Sequence, residues 1–126
     1  MTSRGAAVGV HRLNVSYGAT QVLRDVDLDI APGRFVALIG SSGCGKTTLL
    51  RSISGFISPS SGQIMLDGRD ITALPPEKRG MAMVFQSYAL WPHMTVAQNI
   101  GYGLKLRHVD HQAATRKIGE ILELLR

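Results

Sequence analysis

A chain of 126 residues is long enough for one domain around one core. Its net charge of +5 is scattered, with Lys78-Arg79 and Arg116-Lys117 the only adjacent basic pairs, so no stripe or patch marks a nucleic-acid surface. The single cysteine, Cys44, excludes an internal disulfide and a zinc site, and no apolar run approaches the roughly 20 residues that span a bilayer.

In chain order, residues 8–17 and 22–30 read as strands. In the second, Val26, Leu28 and Ile30 alternate with Asp25, Asp27 and Asp29, which predicts an antiparallel strand with one wet face. Ala31-Pro32-Gly33 is a turn. Residues 35–39 (Phe-Val-Ala-Leu-Ile) are apolar throughout, the pattern of a parallel strand buried on both faces. A helix is expected from about Gly45 to Ser54, with Leu49, Leu50 and Ile53 inward and Gly55 as its stop. A turn at 58–62 leads to a short strand at 63–66, closed by Asp67-Gly68. Pro75-Pro76 breaks the chain, and residues 81–85 form a second uninterrupted apolar strand. The spacing of Thr95 and Gln98 is that of a capping box, so a helix starts at Thr95. The last segment places Ala114, Ile118, Ile121, Leu122 and Leu125 on one helical face, behind Asp110 as cap. That helix is still periodic at Arg126 with no closing signal, the reading expected of a fragment.

Gly40 to Thr47 spell GSSGCGKT, a full match to G-x-x-x-x-G-K-[ST]. A triphosphate needs inward-pointing backbone N–H groups, and Gly40, Gly43 and Gly45 permit the unusual φ values and close approach this demands. The loop follows an apolar stretch and opens a helix, whose N-terminal partial charge favours an anion. The loop residues Gly40, Ser41, Ser42, Gly43, Cys44, Gly45, Lys46, Thr47 and Thr48 are therefore expected to bind ATP. Within that set, Lys46 provides an ammonium for the β- and γ-phosphates, and Thr47 a hydroxyl for Mg²⁺. Cys44 contributes its backbone N–H, and its side chain is small enough to fit the loop.

Three further stretches carry a resemblance to the nucleotide-binding domain of ATP-binding cassette transporters. Tyr17 ends its strand at the family's distance before Gly40, where members stack an aromatic on adenine. Met83-Val84-Phe85-Gln86 and the run to Val96 resemble the family's Q-loop. By that resemblance Gln86 approaches Mg²⁺ and the attacking water, and senses the γ-phosphate. The exposed cluster of Tyr88, Trp91, Pro92 and Met94 then faces the transmembrane permease subunits. The turn from Gly55 to Gly62, through to Asp67-Gly68, is common in importer ATPases. The run from Phe85 to Val96 looks most like importers of polyamines, ferric iron, phosphonates (the 2-aminoethylphosphonate type among them) and sugars. His93 is not the family's switch histidine, and His11, His108 and His111 lack metal spacing.

The resemblance implies an α/β fold: a P-loop NTPase core with an N-terminal antiparallel β subdomain and the start of a helical subdomain. Residues 1–126 then form a truncated domain. The sequence contains no Ser-Gly-Gly triplet of the signature motif, and no four-residue apolar run followed by Asp-Glu. The family's catalytic glutamate and switch histidine are not matched. The implied function is the ATP-binding subunit of an importer, with Lys46 and Gln86 as catalytic residues. Its implied partners are a second ATPase subunit bound head to tail and, indirectly, a solute-binding receptor. Nucleic acid is not among the expected partners. Met1 to Gly9 do not read as a secretory signal, so the expected location is cytoplasmic, peripheral on the inner face of the membrane. Phosphoryl transfer depends on positioning and charge neutralisation, so a chain without the general base is expected to bind nucleotide without turnover. The alternatives are a non-hydrolysing nucleotide-binding fragment and a soluble cassette ATPase not tied to transport. A GTPase would want an Asn-Lys-x-Asp element, which the sequence lacks.

Overall fold

The computed structural model describes residues 5–126; residues 1–4, part of the start read above for a signal, lie outside them. The chain divides into two compact units, Met1–Met83 and Val84–Arg126.

The first unit is built on a four-stranded sheet of order β2-β1-β3-β4, antiparallel throughout. Its strands are β1 (Val8–Tyr17), β2 (Thr20–Ile30), β3 (Ser61–Leu66) and β4 (Arg69–Asp70). The alternation read in β2 is observed: Val26, Leu28 and Ile30 are half-buried, while Asp25, Asp27 and Asp29 face out. The β1–β2 pairing shifts register three times, the last between Val15 and Ser16. β1 advances three residues from Val10 to Leu13 while β2 advances two, and β2 then takes three from Leu23 to Val26 while β1 takes two. Arg12 and Asp25, at φ 48° and 43°, absorb the extra residue on each side. These bulges put Val10, Leu13 and Val15 on one face of β1 with Leu23 opposite, although strict alternation would not. Between β3 and β4, Asp67 and Gly68 both take positive φ, as a two-residue hairpin of the primed type requires.

Helix α1 (Lys46–Ile53) lies against this sheet through Thr48, Leu49 and Ser52. Leu49 joins Val10, Leu13, Val15, Leu23, Ile64 and Ile71 in the core. Each such side chain contributes about 1.5–3 kcal/mol by leaving water. Leu50 does not face inward as expected and is 48% exposed. The buried stripe is rotated onto Ser52, whose hydroxyl is satisfied by Thr48 O at 2.8 Å, so a small polar residue serves where the helix approaches closely. The expected stop is confirmed in detail. Gly55 takes φ 89°, its N–H reaches Ser52 O at 3.1 Å, and Phe56 N–H reaches Arg51 O at 2.9 Å, the paired bonds of a Schellman end.

The two uninterrupted apolar stretches, 35–39 and 81–85, are not strands here. A parallel strand exists only through its ladder neighbours, and no strand among the described residues pairs with either. Phe35 and Ile39 are both 95% exposed.

The second unit is a helical pair, α2 (Val96–Leu106) and α3 (His111–Leu124). The capping box is present: Gln98 N–H donates to Thr95 Oγ1 at 3.2 Å, and Thr95 N–H to Gln98 Oε1 at 2.8 Å. Asp110 caps α3 by accepting from the N–H groups of Gln112 and Ala113. The helices meet closely where Ile118 faces Gly101; a Cβ added there would lie 2.8 Å from Ile118 Cδ1. Ala114 and Ile118 are accordingly half-buried, whereas Ile121, Leu122 and Leu125, read on the same stripe, are exposed. Contact is concentrated at the glycine, and α2 does not cover the end of α3.

Candidate functional site: the phosphate-binding loop

The loop follows the apolar stretch 35–39 in sequence and opens α1, which lies on the sheet. Gly45, at φ 100°, is the residue before α1, and a Cβ on it would lie 2.7 Å from Leu23 Cδ2. Only glycine meets both demands, a left-handed backbone and a close seat on β2. Gly43 is also left-handed, at φ 80°, with open space where its Cβ would stand. A Cβ on Gly40 would lie 2.6 Å from Cys44 Sγ, so the loop closes tightly on itself. Cys44 N–H reaches Ser41 O at 3.3 Å across that turn.

The donors converge on one side. The N–H of Leu49 bonds back to Gly45 O at 2.9 Å, so the N–H groups of Lys46, Thr47 and Thr48 precede the helical ladder and point out of its N-terminus. No acidic residue occupies the first turn of α1. Lys46 Nζ lies over the loop, donating to Gly40 O and, at 2.8 Å, to Ser41 O, with Cys44 Sγ at 3.6 Å. A depression of about 380 Å³ is lined by Val22, Ser42, Gly43, Gly45, Lys46, Thr47 and Thr48. Backbone N–H groups, an ammonium and a hydroxyl meet in it with no carboxylate, a donor set that fits an anion such as a phosphate chain. Among the described residues no cluster of His, Cys, Asp or Glu could hold a metal ion unaided.

Tyr17 pairs with Thr20 at the tip of the β1–β2 hairpin, the end of the sheet from which Val22 enters the depression. Its ring is half exposed, at 49%. Gln86 is exposed and belongs to the second unit, as do Tyr88, Trp91, Pro92 and Met94. Tyr88 and Ala89 both take positive φ, at 62° and 43°, which presents Tyr88 at 81% exposure. Trp91 stacks at a tilt on Tyr102, centroids 4.5 Å apart, and Met94 is half-buried. Of the expected cluster, Tyr88, Trp91 and Pro92 are exposed and Met94 is half-buried; Leu90, not named in that expectation, is exposed beside them.

Sequence reasoning missed three residues that hold these loops. Asn99 spans the segment before α2: its Oδ1 accepts from Trp91 N–H at 2.9 Å, and its Nδ2 donates to the carbonyls of Trp91, Met94 and Thr95. Asn14 ties the bulges at Arg12 and Asp25, and Arg79 grips the C-terminal end of α1. Only the approach of distant backbone groups reveals these roles. No local pattern signals them.

The family model for the ABC transporter matches residues 23–126. The chain is 52% identical over 123 residues to the sn-glycerol-3-phosphate import ATP-binding protein UgpC of Burkholderia pseudomallei, covering 94% of this chain and 34% of that protein. It is 48% identical over 120 residues to UgpC 1 of Rhizobium johnstonii, covering 95% of this chain and 32% of that protein. It is 45% identical over 123 residues to the spermidine/putrescine import ATP-binding protein PotA of Thermobifida fusca, covering 94% and 32%. The chain thus spans about a third of the length of these relatives. Among solved structures, a bacterial Atm1-family ABC exporter with ATP bound superposes with a TM-score of 0.71 at 29% identity, covering 82% of this chain and 18% of that one. With a matched model over most of its length and an ABC fold in its superposition, this chain belongs to the ABC transporter family.

Proposed function

We propose that this chain is the nucleotide-binding part of an importer ATPase, and that the Gly40–Thr48 loop is where ATP binds. The observation that carries the reading is the convergence of the first-turn N–H groups of α1 and the Lys46 ammonium on a depression without acidic lining. The relatives named as import ATP-binding proteins support the direction of transport.

Each residue has a role that its chemistry allows. The N–H groups from Gly43 to Thr48 hold phosphate oxygens, and Lys46 exchanges its bonds to the Gly40 and Ser41 carbonyls for bonds to phosphate. Thr47 supplies a hydroxyl ligand for Mg²⁺, which neutralises phosphate charge when bound. Tyr17, at the hairpin tip beside Val22, stacks on the adenine ring. Gln86 completes the metal and water environment and reports the state of the γ-phosphate. The segment carrying Tyr88, Trp91, Pro92 and Met94 meets the permease subunits; apolar groups exposed on a strained turn are suited to a contact surface. A second ATPase subunit closes the nucleotide site head to tail, and a solute receptor acts through the permease. The protein sits peripherally on the inner membrane face; no helix among the described residues is long and apolar enough to cross a bilayer.

Calorimetric titration with Mg-ATP tests the site. Lys46→Ala is expected to weaken binding at least about tenfold, because a hydrogen bond to a charged group contributes about 1.5–3 kcal/mol. Wild-type affinity in that variant would remove the loop from the nucleotide site.

A further inference from the structure

Arg79 is the only buried charged side chain among the described residues, at 3% exposure. Its bonds all go to backbone carbonyls. Nε donates to Leu74 O at 2.8 Å, and Nη2 to Thr72 O at 3.0 Å. Nη1 donates to both Ser52 O and Ile53 O at 2.9 Å. No carboxylate balances the charge: the only ion pair among the described residues is His11 with Asp29. A buried cation without a counterion is costly, and burial lowers the pKa of this guanidinium from its ordinary value. What offsets the cost is the negative end of α1, where the Ile53 carbonyl and the second lone pair of the Ser52 carbonyl, whose first takes the Gly55 N–H, face the guanidinium. Gly55 makes room: a Cβ there would lie 2.7 Å from Arg79 Nε.

The same helix carries the phosphate loop at its other end. α1 has eight residues, about 12 Å at 1.5 Å per residue, so it moves as one rigid piece. Its sheet-facing surface is narrow, only Thr48, Leu49 and Ser52 being buried. Ile53, half-buried, adds to the packing on the core; Gly45 sits close to Leu23 at one end, and Arg79 holds the last carbonyls at the other.

We propose that Arg79 is a positioning residue for the nucleotide site: its guanidinium clamps the last carbonyls of α1 to the Thr72–Leu74 segment and so sets where Lys46, Thr47 and Thr48 stand. The inference rests on the reading of Gly40–Thr48 as the nucleotide site. Planar, forked recognition of four carbonyls is work for which lysine is a poor substitute.

The test uses the full-length ATPase, comparing Arg79→Met and Arg79→Lys with Lys46→Ala as control. Mg-ATP affinity, KM, kcat and thermal midpoint are measured on the folded fraction. A displaced first turn is expected to raise the Kd and KM of Arg79→Met about tenfold, more than kcat falls. Arg79→Lys should lie between it and wild type, since one ammonium reaches fewer of the carbonyls. A purely structural role would lower the thermal midpoint and the amount of active enzyme while leaving Kd and KM as in wild type, and that result overturns the proposal. If Arg79→Met does not fold, Arg79→Lys decides: a Kd raised severalfold supports the clamp, and an unchanged Kd overturns it. Unchanged binding in Lys46→Ala would sink the site itself and this inference with it. Loss of binding there, beside wild-type Kd in the Arg79 variants, sinks the inference alone.

Discussion

Asn14 shows how much one side chain contributes to the first unit. Its Nδ2 donates to Arg12 O, Asp25 Oδ1 and Ser61 Oγ, and its Oδ1 accepts from Asp25 N–H and Gln21 Nε2. Three strands therefore meet on one amide, beside the two residues whose positive φ makes the bulges. Asp70 is a second such centre, with a pH signature. Hydrogen bonds from the Thr72 hydroxyl at 2.6 Å and the Thr72 N–H at 2.9 Å hold its carboxyl below its ordinary value of 3.8. A carboxylate depressed in the folded state adds stability above the unfolded pKa and loses it as pH falls through the folded one. Asp70→Asn is therefore expected to flatten the acid limb below about pH 4, where wild type loses this contribution. Denaturant melts at pH 3 and pH 6 check this, and an identical acid limb in both proteins would discount the Thr72 bonds. The geometry of the Gly40–Thr47 loop was legible because the motif is encoded locally, eight positions in a row. Asn14, Asp70 and Arg79 were not, because each acts on backbone groups or side chains that only folding brings near.

At the scale of elements, boundaries followed local chemistry closely. β1 was read with its observed limits, and α2 and α3 begin where Thr95 and Asp110 cap them. A cap has a side-chain donor or acceptor within three residues, so the sequence displays it. Thr95→Ala removes the acceptor for Gln98 N–H and is expected to destabilise α2 by about 0.5–2 kcal/mol. Hydrogen exchange in the first turn of α2 is the measurement, and unchanged protection there would show that Asn99 alone holds the segment. Burial was harder to read. Leu50 was assigned inward from its apolarity, but the face of α1 that meets the sheet is the one carrying Thr48, Leu49 and Ser52. In α3 the apolar stripe is real, yet its far end is exposed because Gly101 draws the contact to Ile118.

At the scale of the whole molecule, the Gly40–Thr48 loop is assembled at the start of α1, while among the described residues the apolar stretches at 35–39 and 81–85 stand outside any ladder. The sequence also has no Ser-Gly-Gly triplet and no apolar run ending in Asp-Glu, the elements the family resemblance implies for turnover. With Mg-ATP, this 126-residue chain is therefore expected to bind nucleotide and release no phosphate above the Lys46→Ala background. A steady Lys46-dependent rate would mean that a general base lies within these residues. By itself, the sequence determined the glycine-rich turn into α1, the helix caps, the turns and the antiparallel character of β2. All of these depend on residues a few positions apart, whose φ preferences and hydrogen-bonding groups act without help from the rest of the chain. Tertiary structure alone decided the bulged register of β1 on β2, the face of α1 that is buried, and the burial of Arg79. It also decided that two strand-like runs have no ladder. Each of these depends on which distant backbone or side chain stands opposite, and a β-ladder or a helix face has no definition until that neighbour is in place.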